Sequence, residues 1–319
     1  MISMRTIRYF AVFVSVVMSL FSCGKEDVIT IEENSRIIPI IPDIQYYTNN
    51  SERFNYLQSI LKFCNEEANV DFCIQTGDIT NNNHTDQWKN AYEQFFSRAS
   101  KEIPMVYCLG NHDYGENGMS GTRSSDIPEI MLPESDIQLE GSGYDNYIRF
   151  VQLNGKRLAV LVLEFAPRNE VLEWANQMIQ DNSKTPFVIL THAFLNNQGK
   201  LFNYRDPNCD NEYSQKSYYM GGDYLNDSKE IFDKIIFNNT NVKMVICGHC
   251  LHKDFIATEY VQNAIGENVP CIMVNYQHDI EGGRGNIGIL ACKDKTLYLY
   301  SYSTIEKRFL RYYTSFTIN

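Results

Sequence analysis

Apolar segments that are predicted to be buried strands repeatedly end, in this chain, at a polar side chain that can bind a metal. The first is "RIIPII" at 36–41, and stretches with helical periodicity, at 53–69 and 85–101, separate the next ones. Strands that alternate with helices of this length are typical of βαβ units with parallel pairing. Ligand sites in such sheets lie at the carboxyl ends of the strands. The side chains that are therefore expected to line one crevice are Asp43, Gln45, Asp78, Asn111, His112, Asp113, His192, His249 and His252.

These side chains belong to short motifs that follow one another in a definite order. The order is D-x-Q at 43–45, GD at 77–78, GNHD at 110–113, a single histidine at 192 and G-H-x-x-H at 248–252. Each motif alone is weak evidence, because Gly-Asp is common in turns and a lone histidine is often structural. The ordered set is stronger, since it contains four of the six histidines of the chain.

In this order the motifs resemble those of the calcineurin-like metallophosphoesterases, which read D-x-H, GD, GNH(D/E), H and GH-x-H. The "PDIQYY" segment resembles a subset of that family with a D-x-Q first motif, and so do "NYQHD" and "GGRGNIGIL" near the end. One departure is that Cys250 and Leu251 separate the last two histidines, where the family usually has one residue. The resemblance implies an α/β fold, a four-layer α/β/β/α sandwich with two mainly mixed sheets, over residues 36–319.

The resemblance also implies a ligand set for two divalent metal ions. The first ion would be bound by Asp43, Gln45, Asp78 and His252, and the second by Asp78, Asn111, His192 and His249. Oxygen and imidazole ligands suit Mn, Fe or Zn and do not choose among them. The amide of Gln45, in place of an imidazole, is expected to weaken the first position or to favour a harder metal there. The spacing of GHCLH leaves His252 open, with His84 and His278 as the remaining histidines.

His112 is expected to act as the acid or charge stabiliser, because Asn111 occupies the ligand position. Asp113 is expected to orient the His112 imidazole and to raise its pKa. Two ions can clamp the attacking and leaving oxygens of a phosphoryl group and lower the pKa of a bridging water. The resemblance thus implies an enzyme that hydrolyses a phosphate monoester or diester by a metal-bridging hydroxide. The alternative is a surface-anchored binding protein that keeps the fold but has little or no turnover.

The first 35 residues are predicted to lie outside the domain. A basic start and an apolar run at 9–21, too short to span a bilayer, are typical of a signal peptide. The Leu-Phe-Ser-Cys sequence at 20–23 resembles the lipobox of bacterial lipoproteins. We predict a signal peptide at 1–22, a lipid-bearing Cys23 and a polar tether at 23–35, which would anchor the exported protein to the bacterial cell envelope, at the cell surface. An ordinary secretory signal is the alternative.

Charge restricts the partners of the domain. The formal charge of −11 becomes more negative by two when Arg5 and Arg8 are removed with the signal peptide. A negative domain argues against a nucleic-acid surface. We expect a monomer whose substrate is a small phosphate ester or a lipid head group and whose membrane contact is the lipid on Cys23. The cations that could bind phosphate lie in two long loops, 114–143 and 193–222: Arg123, Lys200, Arg205 and Lys216.

Cysteines offer a competing interpretation. Eight follow Cys23, and exported proteins often form disulfides. The "CGHC" sequence at 247–250 matches the active site of disulfide isomerases. A redox active site is the weaker interpretation, because 251–260 has no convincing start of a helix, whereas a structural or regulatory disulfide near His249 stays open.

Overall fold

The computed structural model describes residues 29–317, except for 33, 142, 219 and 221–223. The predicted signal peptide, Cys23 and the first part of the predicted tether lie outside the described residues. Within the described part, no helix is both long enough and apolar enough to cross a membrane.

The strands of the described chain form two sheets. They are β1 (Arg36–Ile41), β2 (Cys73–Gln75), β3 (Met105–Tyr107), β4 (Ile137–Gln138), β5 (Tyr147–Leu153), β6 (Lys156–Leu163), β7 (Phe187–Thr191), β8 (Val242–Cys247), β9 (Ile256–Gln262), β10 (Asn268–Val274), β11 (Asn286–Lys293), β12 (Thr296–Ser303) and β13 (Arg308–Thr317). The six-stranded sheet has the order β13-β12-β11-β1-β2-β3, and the seven-stranded sheet has the order β4-β5-β6-β7-β8-β10-β9. Both sheets are mixed, as predicted: β1, β2 and β3 are parallel in the first, and β6, β7, β8 and β10 are parallel in the second.

The helices follow the predicted alternation with the strands. They are α1 (Gln45–Thr48), α2 (Phe54–Glu66), α3 (Thr85–Gln94), α4 (Asn169–Asp181) and α5 (Ser228–Ile231), and α5 continues as a π-helical turn over Phe232–Ile236. In α2 the buried residues are Leu57, Ile60, Leu61 and Cys64, the spacing of one helical face. The helix predicted at 85–101 ends early, because the backbone of Phe95 (φ −135°, ψ −73°) leaves the helical region.

The core lies between the two sheets. Ile38 and Ile40 of β1 pack into it with Val160 of β6 and Val188 of β7. The opposite face of β1 is buried as well, since Ile37 is only 1% exposed. Strands that are buried on both faces need cover outside the sheets, which the helices provide. The predicted α/β class is therefore confirmed, and the parallel strands end along one edge of the sandwich.

Candidate metal centre

Asp78 lies at the point where the segments after β1, β2 and β3 meet. Its Oδ1 accepts a hydrogen bond from the backbone N–H of His112 (2.9 Å), and its Oδ2 accepts one from Gln45 Nε2 (3.1 Å). The carboxylate is 2% exposed, and its residue adopts a left-handed backbone with φ of +50°. A Cβ at Gly110 would overlap Asp78 Oδ1, so the close approach of these two loops requires glycine there.

Two histidines present their free ring nitrogens to each other beside Asp78. His192 holds its Nδ1 against the carbonyl of Thr76 (2.7 Å), and His249 holds its Nε2 against the carbonyl of Tyr213 (3.0 Å). Each of these ring nitrogens is a donor to its carbonyl, which leaves His192 Nε2 and His249 Nδ1 as the atoms that could bind a metal. They are 3.2 Å apart.

Two oxygens complete this group of donor atoms. Asn111 Oδ1 lies 3.2 Å from His192 Nε2, and Asp78 Oδ2 lies 3.3 Å from the same nitrogen. Two imidazole nitrogens, a carboxylate oxygen and an amide oxygen therefore lie around one point, with Asp78, His192 and His249 within mutual ligand distance. Such a set suits Zn, Fe or Mn, and the residues predicted for the second ion are those that the structure brings together.

The electrostatics of this group favour a cation between the histidines. Burial opposes a charge on His192, but Asp78, Asp43 and the Thr76 carbonyl together raise the pKa of His192 to about 9. Burial, followed by the neighbouring His192, lowers the pKa of His249 to about 3. Without a metal, His192 therefore carries the proton that lies between the two rings, and a divalent ion would displace it.

Asp43 and Gln45 lie on the other side of Asp78. Asp43 Oδ2 accepts a hydrogen bond from Asn275 Nδ2 (2.8 Å), and Gln45 Nε2 donates to Gln277 Oε1 (3.1 Å) as well as to Asp78. Burial raises the pKa of Asp43 to about 8. Gln45 Oε1 is buried and has no hydrogen-bond partner in the described chain. An unpaired buried amide oxygen is costly unless it binds something, so this side of the site also fits a cation.

The structure does not place His252 with these residues, although the resemblance assigned it to the first ion. Its Nδ1 accepts the backbone N–H of Asp254 (3.2 Å) and lies 3.8 Å from the Asp254 carboxylate. The residue two positions after His249 is Leu251, whose backbone N–H bonds to Asn197 Oδ1. The extra residue in GHCLH therefore carries the second histidine past the position that the family spacing would give it. His84 pairs with Asn117 and His278 is exposed, so neither histidine replaces it among the described donors.

Asp113, which was predicted to orient the His112 imidazole, bonds to the backbone of two loops. Its carboxylate accepts hydrogen bonds from the backbone N–H groups of Ile79, Thr80 and Gly110, at 2.8–3.1 Å. The His112 imidazole is oriented by a carbonyl instead, because its Nδ1 lies 2.9 Å from the oxygen of Asn81. Asp113 therefore fixes the GD loop to the GNHD loop, and it leaves the His112 Nε2 atom free.

Asn275 and Gln277 are site residues that our sequence analysis did not select, although "NYQHD" was part of the resemblance. They follow β10, which is parallel to β8 in the second sheet. The signal that finds the other site residues, a polar side chain after a strand that ends at this edge, also applies to them. Asn275 and Gln277 were not predicted because the sequence does not reveal that β10 runs parallel to β8.

The predicted phosphate-binding cations of the two long loops are all paired with carboxylates. Lys200 contacts Glu259, and Arg205 and Lys216 both contact Glu230. Arg123 donates to the carbonyls of Phe165 (3.0 Å) and Ala166 (2.6 Å) and lies 3.3 Å from Glu164. These pairs offset part of the positive charge of the loops, with Glu230 shared by two of the cations, and Arg123 also fixes the backbone beside the metal centre.

Glu164 is expected to stabilise the segment that packs against the metal centre. It is fully buried and accepts from Arg168 Nε (2.9 Å) and Asn146 Nδ2 (3.0 Å), and the next residue, Phe165, packs on the His192 ring. Glu164→Gln would remove the carboxylate that Arg123 and Arg168 share and leave Arg168 only its pair with Glu170, and we expect a loss of about 3 kcal/mol in the free energy of unfolding in urea. The control is Glu134→Gln, because Glu134 is 84% exposed in its pair with Arg149 and should change stability by less than about 0.5 kcal/mol. Equal stability of the two variants would contradict this prediction.

The cysteines of CGHC do not have the features of a redox site. Cys247 and Cys250 are buried free thiols, and burial raises the pKa of both. A buried thiol with a raised pKa is a poor nucleophile. No helix begins between 251 and 255 in the described chain, as the sequence indicated.

Comparisons with known proteins relate the chain to one family and to several solved structures. A model of the family described as calcineurin-like phosphoesterase matches residues 38–252, which include every predicted site residue but neither Asn275 nor Gln277. Among solved structures, a purple acid phosphatase from seeds of yellow lupin (Lupinus luteus) is similar with a TM-score of 0.53 and 13% identity. The similarity covers 89% of this chain and 53% of the lupin chain, so this chain spans about half the length of that protein. At this identity the likeness shows the fold alone.

Two other solved structures are similar over most of their length. A dimetal phosphatase from Danio rerio has a TM-score of 0.47 and 14% identity, over 87% of this chain and 99% of that one. GAP50, described as the anchor in the inner membrane complex of Plasmodium, has a TM-score of 0.49 and 11% identity, over 89% and 90% of the two chains. A search among curated proteins found no match to the sequence.

Proposed function

The chain belongs to the calcineurin-like phosphoesterase family, and from that premise we propose that it hydrolyses a phosphate monoester or diester with two divalent metal ions. The observation that carries the proposal is the pair of imidazole nitrogens, His192 Nε2 and His249 Nδ1, that face each other beside Asp78. A proton on His192 is all that separates these two nitrogens, 3.2 Å apart, when no metal is bound, and a divalent ion would replace that proton and bind both rings.

The residues of the chain divide the work between holding and proton transfer. His192, His249, Asn111 and Asp78 would hold one ion, and Asp43, Gln45 and Asp78 the other. Bound there, the ions would polarise a phosphoryl oxygen and lower the pKa of the attacking water. The free Nε2 of His112 would donate a proton to the leaving oxygen or stabilise the charge that develops on it, because Asn81 fixes the ring through Nδ1.

The surroundings of the centre favour a substrate that is small and carries an uncharged or aromatic group. Tyr218 packs on Phe165 and His249, and Tyr213 contacts His249 as well, so tyrosines border the two rings. We expect the cations of the long loops to contribute little, since each is paired with a carboxylate. A phosphate ester with a planar or sugar group, or a lipid head group, fits this chemistry.

We propose further that the protein acts as a monomeric lipoprotein at the bacterial cell envelope, anchored by a lipid on Cys23. The support is the sequence around Cys23 and the short apolar run before it. Radiolabelled fatty acid should be incorporated into the wild-type chain and not into Cys23→Ser. Label in both proteins, or in neither, would contradict the anchor.

Metal analysis combined with hydrolysis tests the proposed function. We expect about two equivalents of divalent metal per chain after incubation with Mn, Fe or Zn, and metal-dependent hydrolysis of chromogenic phosphate monoesters or diesters. Removal of the metal by a chelator should abolish turnover, and return of the metal should restore it. One equivalent or none, without turnover on either ester, would support instead a binding protein in which Gln45 and the GHCLH spacing have ended catalysis.

A further inference from the structure

Several carboxylate and amide oxygens cluster on the side of Asp78 that faces away from the two imidazoles. Asn275 Nδ2 donates to Asp43 Oδ2 (2.8 Å) and to Gln277 Oε1 (3.3 Å), and Gln45 Nε2 donates to Gln277 Oε1 and Asp78 Oδ2, at 3.1 Å from each. Three acceptor oxygens, from two carboxylates and one amide, thus share two amide NH₂ groups as their donors. Oxygens of this kind attract positive charge, and here the hydrogens of the two NH₂ groups supply it.

The segment after β10 is held firmly against this cluster. Gln277 N–H donates to Asn275 Oδ1 (2.9 Å), and Asn275 Nδ2 also donates to the carbonyl of His249 (3.0 Å). The Asn275 side chain is 1% exposed. Asn275, which bonds to His249 and Asp43, therefore fixes the backbone at Gln277. The Gln277 side chain is held by its hydrogen bonds to Asn275 and Gln45 and is not a free surface group.

We propose that Gln277 supplies the protein ligand of the first ion that the sequence pattern assigns to His252, and that this position selects a hard cation such as Mg²⁺ or Mn²⁺. This inference rests on the proposed two-metal function. The ligands would be the carboxylates of Asp43 and Asp78 and the amide oxygens of Gln45 and Gln277. An all-oxygen set suits Mg²⁺, Ca²⁺ or Mn²⁺, whereas the imidazole pair on the other side of Asp78 suits Zn²⁺ or Fe.

The Gln45 amide can meet this role by a rotation of its last torsion. The terminal torsion of glutamine is broad and roughly two-fold, so a half turn costs little by itself. It would exchange Nε2 with Oε1, the buried oxygen that has no hydrogen-bond partner in the described chain. Oε1 would then lie about 3.1 Å from Asp78 Oδ2 and from Gln277 Oε1, close to the separation of neighbouring ligand oxygens in an octahedron with metal–oxygen distances of about 2.1 Å.

The test measures binding of Mn²⁺ to the purified chain that already carries one equivalent of Zn²⁺. Free Mn²⁺ is followed by its electron paramagnetic resonance signal, and Zn²⁺ by elemental analysis. For the wild type we expect one Mn²⁺ site beside one Zn²⁺. Gln277→Leu should weaken Mn²⁺ binding by about tenfold to a hundredfold and leave the Zn²⁺ content unchanged. Gln277→Glu should bind Mn²⁺ at least as tightly as the wild type, because it restores the oxygen and adds a charge.

His252→Asn is the matched control and should bind both metals like the wild type. The inference is overturned if His252→Asn loses the Mn²⁺ site, if Gln277→Leu keeps it, or if the wild type binds no Mn²⁺ beside Zn²⁺. Gln277→Glu keeps the test valid should the leucine variant fold poorly. Failure of the proposed function has a different result, namely that the wild type binds both metals as expected and hydrolyses neither ester.

Discussion

Replacement of Asp78 by asparagine is expected to lower metal-dependent phosphoesterase activity by about a thousandfold, equivalent to about 4 kcal/mol of transition-state stabilisation. Asp78 is the carboxylate between the two groups of ligand atoms, with Gln45 on one side and His192 on the other. Asparagine has nearly the same shape but no charge to balance two divalent ions. We therefore expect the metal content to fall together with the activity.

Asparagine is the sharper choice at this position because of the backbone. Asp78 has φ of +50°, a conformation that asparagine tolerates and alanine does not. The hydrogen bond from the His112 N–H can also persist to the amide oxygen. The thermal midpoint of the metal-free protein should change little, and Asp181→Asn, at the exposed end of α4, should keep full activity. Retained turnover in Asp78→Asn would remove the carboxylate from the mechanism and with it the two-metal proposal.

The sequence predicts the architecture well because local patterns and strand ends determine most of it. "RIIPII" becomes β1, "FVILT" becomes β7 and "VKMVIC" becomes β8, each buried as its composition indicates. Since parallel strands end at one edge, the residues after β1, β2, β3, β7 and β8 meet there without further information. Asp78, Asn111, His192 and His249 could be predicted for this reason.

The residues whose contacts differ from the sequence-based expectation are those that meet distant parts of the chain. Asp113 stands next to His112 in sequence, but its partners are backbone groups at 79, 80 and 110. Lys216 was one of the loop cations that could bind phosphate, but in the structure it pairs with Glu230. No local sequence pattern predicts these pairings, because each one joins residues that are distant in sequence and meet only in the folded chain.

Gln277 and His252 illustrate the same limit at the metal centre. The last motif of the family ends in a histidine, so the resemblance assigned this ligand position to His252. Ligand position is set by the backbone, however, and one added residue in GHCLH moves His252 toward Asp254 while Gln277 reaches Gln45. Which residue completes the first position therefore depends on the spacing after β8 and on the direction of β10, and only the spacing is visible in the sequence.

His112→Asn is expected to lower turnover by about a hundredfold to ten-thousandfold while the metal content stays unchanged. The reason is geometric. The backbone N–H of His112 donates to Asp78 Oδ1, which fixes the residue at the centre, and Nδ1 is held by the Asn81 carbonyl. Only Nε2 is left to face a substrate, and asparagine has no atom that can transfer a proton from that position.

The measurement is steady-state hydrolysis of a chromogenic ester together with elemental analysis of the same samples. The loss should be larger for an ester with a poor leaving group than for an activated one, because a good leaving group needs less protonation. His84→Asn is the control, since the ring of His84 pairs with Asn117. Equal losses for the two esters would mean that His112 stabilises charge on the phosphoryl group instead of donating a proton. Full activity would mean that the centre needs no group at this position, and that the free Nε2 is a consequence of how Asn81 holds the loop.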